Sequence, residues 1–255
     1  MLSLLKTILF PSSQDIPSWE ENTFYFADIS NFTAAAEAFP APQIAAAIGI
    51  FYEIIRENSA PGEIISFQGD AALVRFADAG QGVRAAIRIA HRLDVLPGKT
   101  GRIRLRATAG IHTGRAYIGK IAGWRTAIGD VVNIAARLQG LCREYAEPLL
   151  ISGETTRRLP REEQAALFFL DVINPKGKRT ALDVFSLPKP TAEGYAAALS
   201  LYRSGRFADA ARAFGVLRSA DPHDAAFPAW ERRCAELATS PPSEWTGRHR
   251  HTAKA

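Results

Sequence analysis

The order in which the apolar residues change period constrains this chain more than any other feature. Thr23-Phe24-Tyr25-Phe26-Ala27-Asp28-Ile29 reads as a buried strand that ends on a carboxylate. Pro42 to Asn58 carries the apolar spacing of a helix, with proline in its first turn. Pro61-Gly62 marks a turn, and Glu63 to Gln68 and Ala71 to Phe76 read as two strands joined through the hairpin dipeptide Gly69-Asp70. A second amphipathic helix is expected over Ala79 to Leu93, ending near Pro97-Gly98. Arg102 to His112 alternates basic and apolar residues as a half-exposed strand does, and Thr113-Gly114-Arg115 is expected to turn it into Ala116 to Ile121. Asp130 to Tyr145 has helical spacing, with strands around Leu149–Ser152, Phe168–Val172 and Leu182–Ser186. The order β-α-β-β-α-β, with elements added after it, predicts an α+β, ferredoxin-like sheet with helices packed on a face.

With 255 residues the chain can bury one substantial core and still carry an appendage. A hydrophobic fraction of 47% and a charged fraction of 22% exclude a disordered or fibrous chain. The net charge of +5 comes from 31 Lys and Arg against 26 Asp and Glu. It suits a polyphosphate ligand and is too mild to imply nucleic acid. Cys142 and Cys234 can form neither a CxxC pair nor a zinc site, so a reducing cytoplasm is expected. Met1 to Phe10 is apolar but broken by Lys6 and stopped by Pro11. It falls short of the about 20 apolar residues a transmembrane segment needs, and a short docking helix accounts for it. No sensor domain is expected ahead of the first strand.

Leu187-Pro188-Lys189-Pro190 marks a boundary. Beyond it Tyr195, Leu199, Tyr202, Gly205, Phe207, Ala210, Phe214, Leu217 and Asp221-Pro222 form a helix-turn-helix pattern similar to one tetratricopeptide unit. A single unit cannot bury its own apolar face, so packing on the main domain or on a protein partner is expected. The expected organisation is an N-terminal segment (1–19), a main domain (20–188), a helical hairpin (189–240) and a basic tail (241–255) with Arg248, Arg250 and Lys254.

Several segments carry candidate chemistry. Phe26-Ala27-Asp28-Ile29-Ser30-Asn31-Phe32-Thr33 puts a carboxylate where a buried strand runs into a loop and a helix, suited to a divalent cation holding phosphates. Alone, such an aspartate is more often an ordinary helix cap or turn former. Asp70 in Phe67-Gln68-Gly69-Asp70-Ala71 is a second carboxylate on a tight turn, and two such groups can share a pair of cations. By itself it is a common hairpin. Ile111-His112-Thr113-Gly114-Arg115 offers an arginine beside a glycine. Asn133 and Arg137 lie four residues apart on one helix face, where they could orient a ribose and neutralise a phosphate, or form a solvated stripe. Asn174-Pro175-Lys176-Gly177-Lys178 sets basic side chains on a loop.

Together FADISNFT, FQGDAALVRF, GIHTGR, AIGDVVNIAARL and NPKGK resemble, in order and approximate spacing, the class III adenylate/guanylate cyclase domain, over roughly residues 20 to 188. The resemblance implies that Asp28 and Asp70, with the carbonyl of Ile29, bind two Mg²⁺ or Mn²⁺ ions. It implies that Asn133 positions the ribose, Arg137 stabilises the transition state, and Arg115 and Lys176 meet the phosphates. Ser66 and Thr126 fall at the base-selecting positions. Family members work as antiparallel dimers. A homodimer is therefore implied, with Asp28, Asp70 and Arg115 from one copy and Thr126, Asn133, Arg137 and Lys176 from the other. Two positions depart from the family pattern. Asn31 replaces a glycine, which Asn tolerates because it accepts a left-handed backbone. Ser66 replaces the Lys of adenylate cyclases or the Glu of guanylate cyclases. The implied activity is conversion of ATP to 3′,5′-cyclic AMP and pyrophosphate. The alternatives are a cyclase-like nucleotide-binding module without turnover and a cyclase that also accepts GTP.

Overall fold

The computed structural model describes residues 18–94, 105–121, 123–174, 181–187, 192–247 and 249–250. Lys176, the segment before Ser18 and the last five residues lie outside them. The chain forms two compact units that divide at Gln139 and Gly140, inside a helix.

In the first unit the long strand β1 (Ser18–Ile29) is the axis. On one side it pairs antiparallel with β3 (Ala71–Phe76), which forms a hairpin with β2 (Glu63–Gln68). On the other it pairs antiparallel with β4 (Ala107–Ile121), onto which β5 (Trp124–Ile128) folds back. The helices are α1 (Phe32–Ala38), α2 (Ala41–Asn58), α3 (Ala79–Asp94) and α4 (Asp130–Tyr145), the last running on into the second unit. The β-α-β-β-α-β order is thus present.

Alternation along β1 assigns its two faces. Phe24 and Phe26 join Ile65, Leu73, Ala116 and Ile118 in a cluster against Val131 and Ala135 of α4. Burying an aromatic such as Phe24 in full contributes roughly 1.5–3 kcal/mol. The glycine of Gly110-Ile111-His112 is fixed by this packing: a Cβ there would lie 2.1 Å from the Ala135 carbonyl oxygen and 2.5 Å from the Gln139 nitrogen. Only a glycine lets α4 approach the strand so closely.

One expected turn is absent. Thr113-Gly114-Arg115 runs straight through β4, in register with β1 from Ser18↔Ile118 to Ile29↔Ala107. Thr113 faces Thr23 across the strands, and their buried hydroxyls hydrogen-bond at 2.7 Å. That cross-strand pair, with the ladder around it, overrides the local turn signal. β1 also begins earlier than the apolar run suggests, where Trp19 meets Tyr117 edge to face at 6.0 Å.

The second unit contains β6 (Leu149–Ser152), α5 (Gly153–Thr156), α6 (Arg161–Ala166), β7 (Phe168–Asn174), β8 (Leu182–Ser186) and β9 (His249–Arg250), with β8 between β6 and β7. Three helices, α7 (Ala192–Arg203), α8 (Phe207–Ala220) and α9 (Ala226–Thr239), follow β8. The expected helical pair is α7 and α8, and α9 is a third helix that the sequence pattern did not announce. Trp230 of α9 stacks on Phe214 at 5.3 Å and meets Tyr202 edge to face at 5.0 Å. Tyr195 of α7 meets Phe168 of β7 at 4.4 Å. The aromatic face of α7 and α8 is therefore covered within its own unit. Among the described residues no helix is long and apolar enough to cross a membrane.

Candidate active site

Asp28 stands at the end of β1, opposite Ala71 on one side and Thr108 on the other. Asp70 stands in the turn between β2 and β3, where Gly69 adopts the left-handed φ of 59° that the turn requires. The Ile29 N–H donates to the Asp70 carbonyl at 3.1 Å, so the two acidic segments are tied through backbone. That tie keeps the Asp70 carboxyl close enough to bear on the charge of Asp28. Burial, then the Asp70 carboxyl and its charge, raise the Asp28 pKa from 3.8 to about 7. Burial and a neighbouring carboxyl both favour the neutral form of Asp28.

That chemistry fits a divalent cation, which would take the proton's place. Among the described residues no cluster of three or more His, Cys, Asp and Glu side chains supplies a full cage. Mg²⁺ commonly uses one or two carboxylates and completes its shell with water and phosphate oxygens. The Asp28–Asp70 pair, with the neighbouring Ile29 carbonyl, therefore suits a cation that arrives with a polyphosphate.

A cavity of about 430 Å³, lined mostly by apolar residues such as Phe32, Phe39, Ile44 and Leu105, lies at the Ile29-Ser30-Asn31-Phe32 loop that follows Asp28, and Arg106 is among its lining residues. Asn31 has φ 58° and ψ 29°, a left-handed conformation that asparagine tolerates. The Ser30 N–H donates to the Arg106 carbonyl at 2.8 Å. Arg106 is exposed and is the basic side chain among those lining the cavity.

Arg115 stands elsewhere. It pairs with Glu21, seven register steps along β1 from Asp28, or about 23 Å at the usual rise of a strand. Arg106, which the motifs did not single out, is nearer by register, since its carbonyl holds the Ser30 N–H two residues after Asp28. Strand parity held the clue, since Arg106 and Thr108 share a face and Thr108 opposes Asp28.

Ser66 lies on β2 opposite Leu73, next to a bulge at Ile64/Ser66, and Thr126 lies on β5 opposite Gly119. Their strands are joined by Glu63, whose carboxylate accepts from Arg125 Nε at 2.7 Å and from its NH2 at 3.1 Å. Arg75 adds a further bond at 3.0 Å. The Arg125 hydrogen bond first, then Arg75, hold the Glu63 carboxyl below its ordinary range despite partial burial. The Thr126 hydroxyl donates to the Trp124 carbonyl at 3.1 Å.

On α4, Val131, Ile134, Ala135 and Leu138 are buried, and Asn133 is exposed on the other side of the helix. Arg137 follows one turn later on that side. The chain thus brings Asp28, Ile29 and Asp70 together and ties the Ser66 and Thr126 strands to each other. Asn133 points to solvent instead. The β4–β5 hairpin also presents an apolar face. Tyr117↔Ile128 and Ile121↔Trp124 flank Gly119↔Thr126 on one side of the ribbon, where Trp124 is 78% and Trp19 58% exposed.

No protein-family model matches the chain. It is 29% identical over 184 residues to Adenylate cyclase 1 of Rhizobium meliloti, covering 66% of this chain and 27% of that protein. The structure of the adenylyl cyclase CyaB from P. aeruginosa matches 68% of this chain and 96% of its own, with a TM-score of 0.56 and 24% identity. The fold is that of the nucleotide cyclases. The guanylyl cyclase Cya2 also shares it, with a TM-score of 0.58 and 20% identity over 69% of this chain and 96% of that one. The cyclase fold is therefore common to both base specificities and does not choose between them. The chain spans about a quarter of the length of the Rhizobium relative.

Proposed function

We propose that this chain is an adenylate cyclase that closes ATP into 3′,5′-cyclic AMP and pyrophosphate at a site shared by two copies. The observation that carries the reading is the pair of carboxylates at the end of β1 and in the β2–β3 turn, Asp28 and Asp70, tied through the Ile29 N–H to the Asp70 carbonyl at 3.1 Å. The likeness to adenylate cyclases supports it.

In the reaction the ribose 3′-oxygen loses its proton and bonds to the α-phosphorus, while the bond from that phosphorus to the bridging oxygen of pyrophosphate breaks. Two divalent cations, Mg²⁺ or Mn²⁺, supply the Lewis acidity that lowers the pKa of the hydroxyl and neutralises the leaving group. Asp28, Asp70 and the Ile29 carbonyl hold them. Arg106, on the face of β4 that Asp28 shares, serves the phosphates from the same chain, in the role the resemblance implies for Arg115. Asn133 orients the ribose and Arg137 balances charge at the α-phosphate, and Lys176 meets the terminal phosphates. Ser66 and Thr126 read the base with two neutral hydroxyls. These can serve adenine but supply no carboxylate for the N–H donors of guanine.

Asn133 faces solvent in its own chain, so the second copy supplies Asn133 and Arg137 to the acidic pair. The apolar face of the β4–β5 hairpin is the surface that favours such a homodimer. Cys142 and Cys234, both buried and not joined in a disulfide, suit a reducing cytoplasm.

Purified protein given ATP or GTP, with Mg²⁺ or Mn²⁺, tests the reading. Cyclic AMP should form with ATP and be lost in Asp28→Ala and in Arg137→Ala. Equal rates in Asp28→Ala and the parent would refute it. Ser66, in place of the base-reading Lys, favours a second reading, a module that binds nucleotide without turnover. Calorimetric ATP binding with no cyclic product under either metal would support that second reading.

A further inference from the structure

We infer that Tyr52 is a positioning residue for Asp70, its hydroxyl fixing the turn from which that carboxylate projects. The inference rests on the reading that Asp28 and Asp70 hold the cations.

Asp70 is flanked by two peptide groups, and each is held from outside the turn. The Asp70 carbonyl accepts from the Ile29 N–H at 3.1 Å, which ties it to the strand that carries Asp28. The Gly69 carbonyl accepts from the Tyr52 hydroxyl at 2.6 Å. Gly69 is in the left-handed region, a conformation that glycine adopts freely but does not enforce. A partner on its carbonyl therefore decides which way the Gly69–Asp70 peptide plane faces. That plane in turn sets the direction of the Asp70 side chain.

The hydroxyl can do this because its own place is fixed. The Tyr52 ring lies flat on Phe67, with centroids 3.9 Å apart and planes 19° apart. Its helix α2 is anchored through the buried Phe51, Ile54 and Ile55. Burial, together with the charge of Asp70, raises the Tyr52 phenol above its ordinary pKa, as its closeness to the carboxylate requires. Tyr52 thus connects a rigid helix to one of the two cation-binding carboxylates. A merely structural hydrogen bond would alter stability and leave cation affinity alone.

Mn²⁺ titration of the full chain, followed by the paramagnetic resonance signal of the free ion, separates these roles. Tyr52→Phe keeps the ring on Phe67 and removes only the hydroxyl. It should weaken Mn²⁺ binding about tenfold, the lower end of what supporting partners contribute, because the Ile29 tie remains. Tyr52→Leu, which also loses the stack, should weaken it further. In the product assay Tyr52→Phe should need correspondingly more Mn²⁺ for half-maximal rate, with kcat at saturating Mn²⁺ within about twofold of the parent. Mn²⁺ affinity in Tyr52→Phe within twofold of the parent, while Asp70→Asn loses binding, would overturn the positioning role alone. Equal affinity in Asp70→Asn and the parent would instead remove the cation site itself, and the inference with it.

Discussion

The raised pKa of Asp28 makes the site sensitive to pH. The Asp28 pKa is raised from 3.8 to about 7, so the native state holds a proton that the unfolded chain releases. The Asp28 contribution to stability without divalent ions should therefore be largest below about pH 4, be lost as pH rises to about 7, and then level off. The thermal midpoint of the parent relative to Asp28→Asn, measured across that range with a chelator present, should fall. Mn²⁺ affinity should rise over the same interval as the proton becomes easier to displace. The two arginines make a second pair of expectations. Arg106→Ala should raise the KM for ATP roughly tenfold, a loss of about 1.4 kcal/mol, whereas Arg115→Ala should stay within about twofold, as steady-state kinetics would show. Asp28 and Asp70 were legible in the sequence because a strand end and a hairpin dipeptide are local signals. Arg106 was not, because its closeness to Asp28 comes from the register of β4 on β1, which no segment reveals by itself.

Among the elements, α4 depends most on one residue of its neighbour. A Cβ at position 110 would collide with the Ala135 carbonyl at 2.1 Å, and a backbone atom cannot rotate away as a side chain can. Gly110→Ala should cost about 3 kcal/mol, read as a lower urea midpoint, and should reduce turnover through the displaced helix. The continuity of β4 shows where sequence reading stopped. Thr113 and Gly114 have turn-like chemistry, but Thr113 is satisfied by Thr23 across the ladder, and tertiary pairing decided the outcome. Helix α9 escaped notice because Pro228 and the polar run Glu231-Arg232-Arg233 obscure its period. What the pattern hid is a buried Arg233 bonded to Glu144 at 2.8 Å and lying 3.7 Å from Asp171, which also accepts from Tyr145 at 2.7 Å. Arg233→Met should destabilise the second unit by about 3–5 kcal/mol, since Asp171 would lose its nearest cation. Calorimetric unfolding would show the loss.

At the scale of the molecule, the division of labour between copies can be tested by mixing. Asp28→Ala and Arg137→Ala, each inactive alone, should regain activity together, because a mixed dimer contains one intact site. Random exchange makes about half the dimers mixed, so about a quarter of the parent activity should return. No recovery would place all the groups in one chain. Trp124→Asp, on the exposed face of the β4–β5 hairpin, should lower activity most at dilute protein and shift sedimentation toward the monomer. With the site shared between two copies as proposed, a solitary chain would be silent. At low copy number output would then climb with the square of abundance, so gene dosage and synthesis rate would set a threshold.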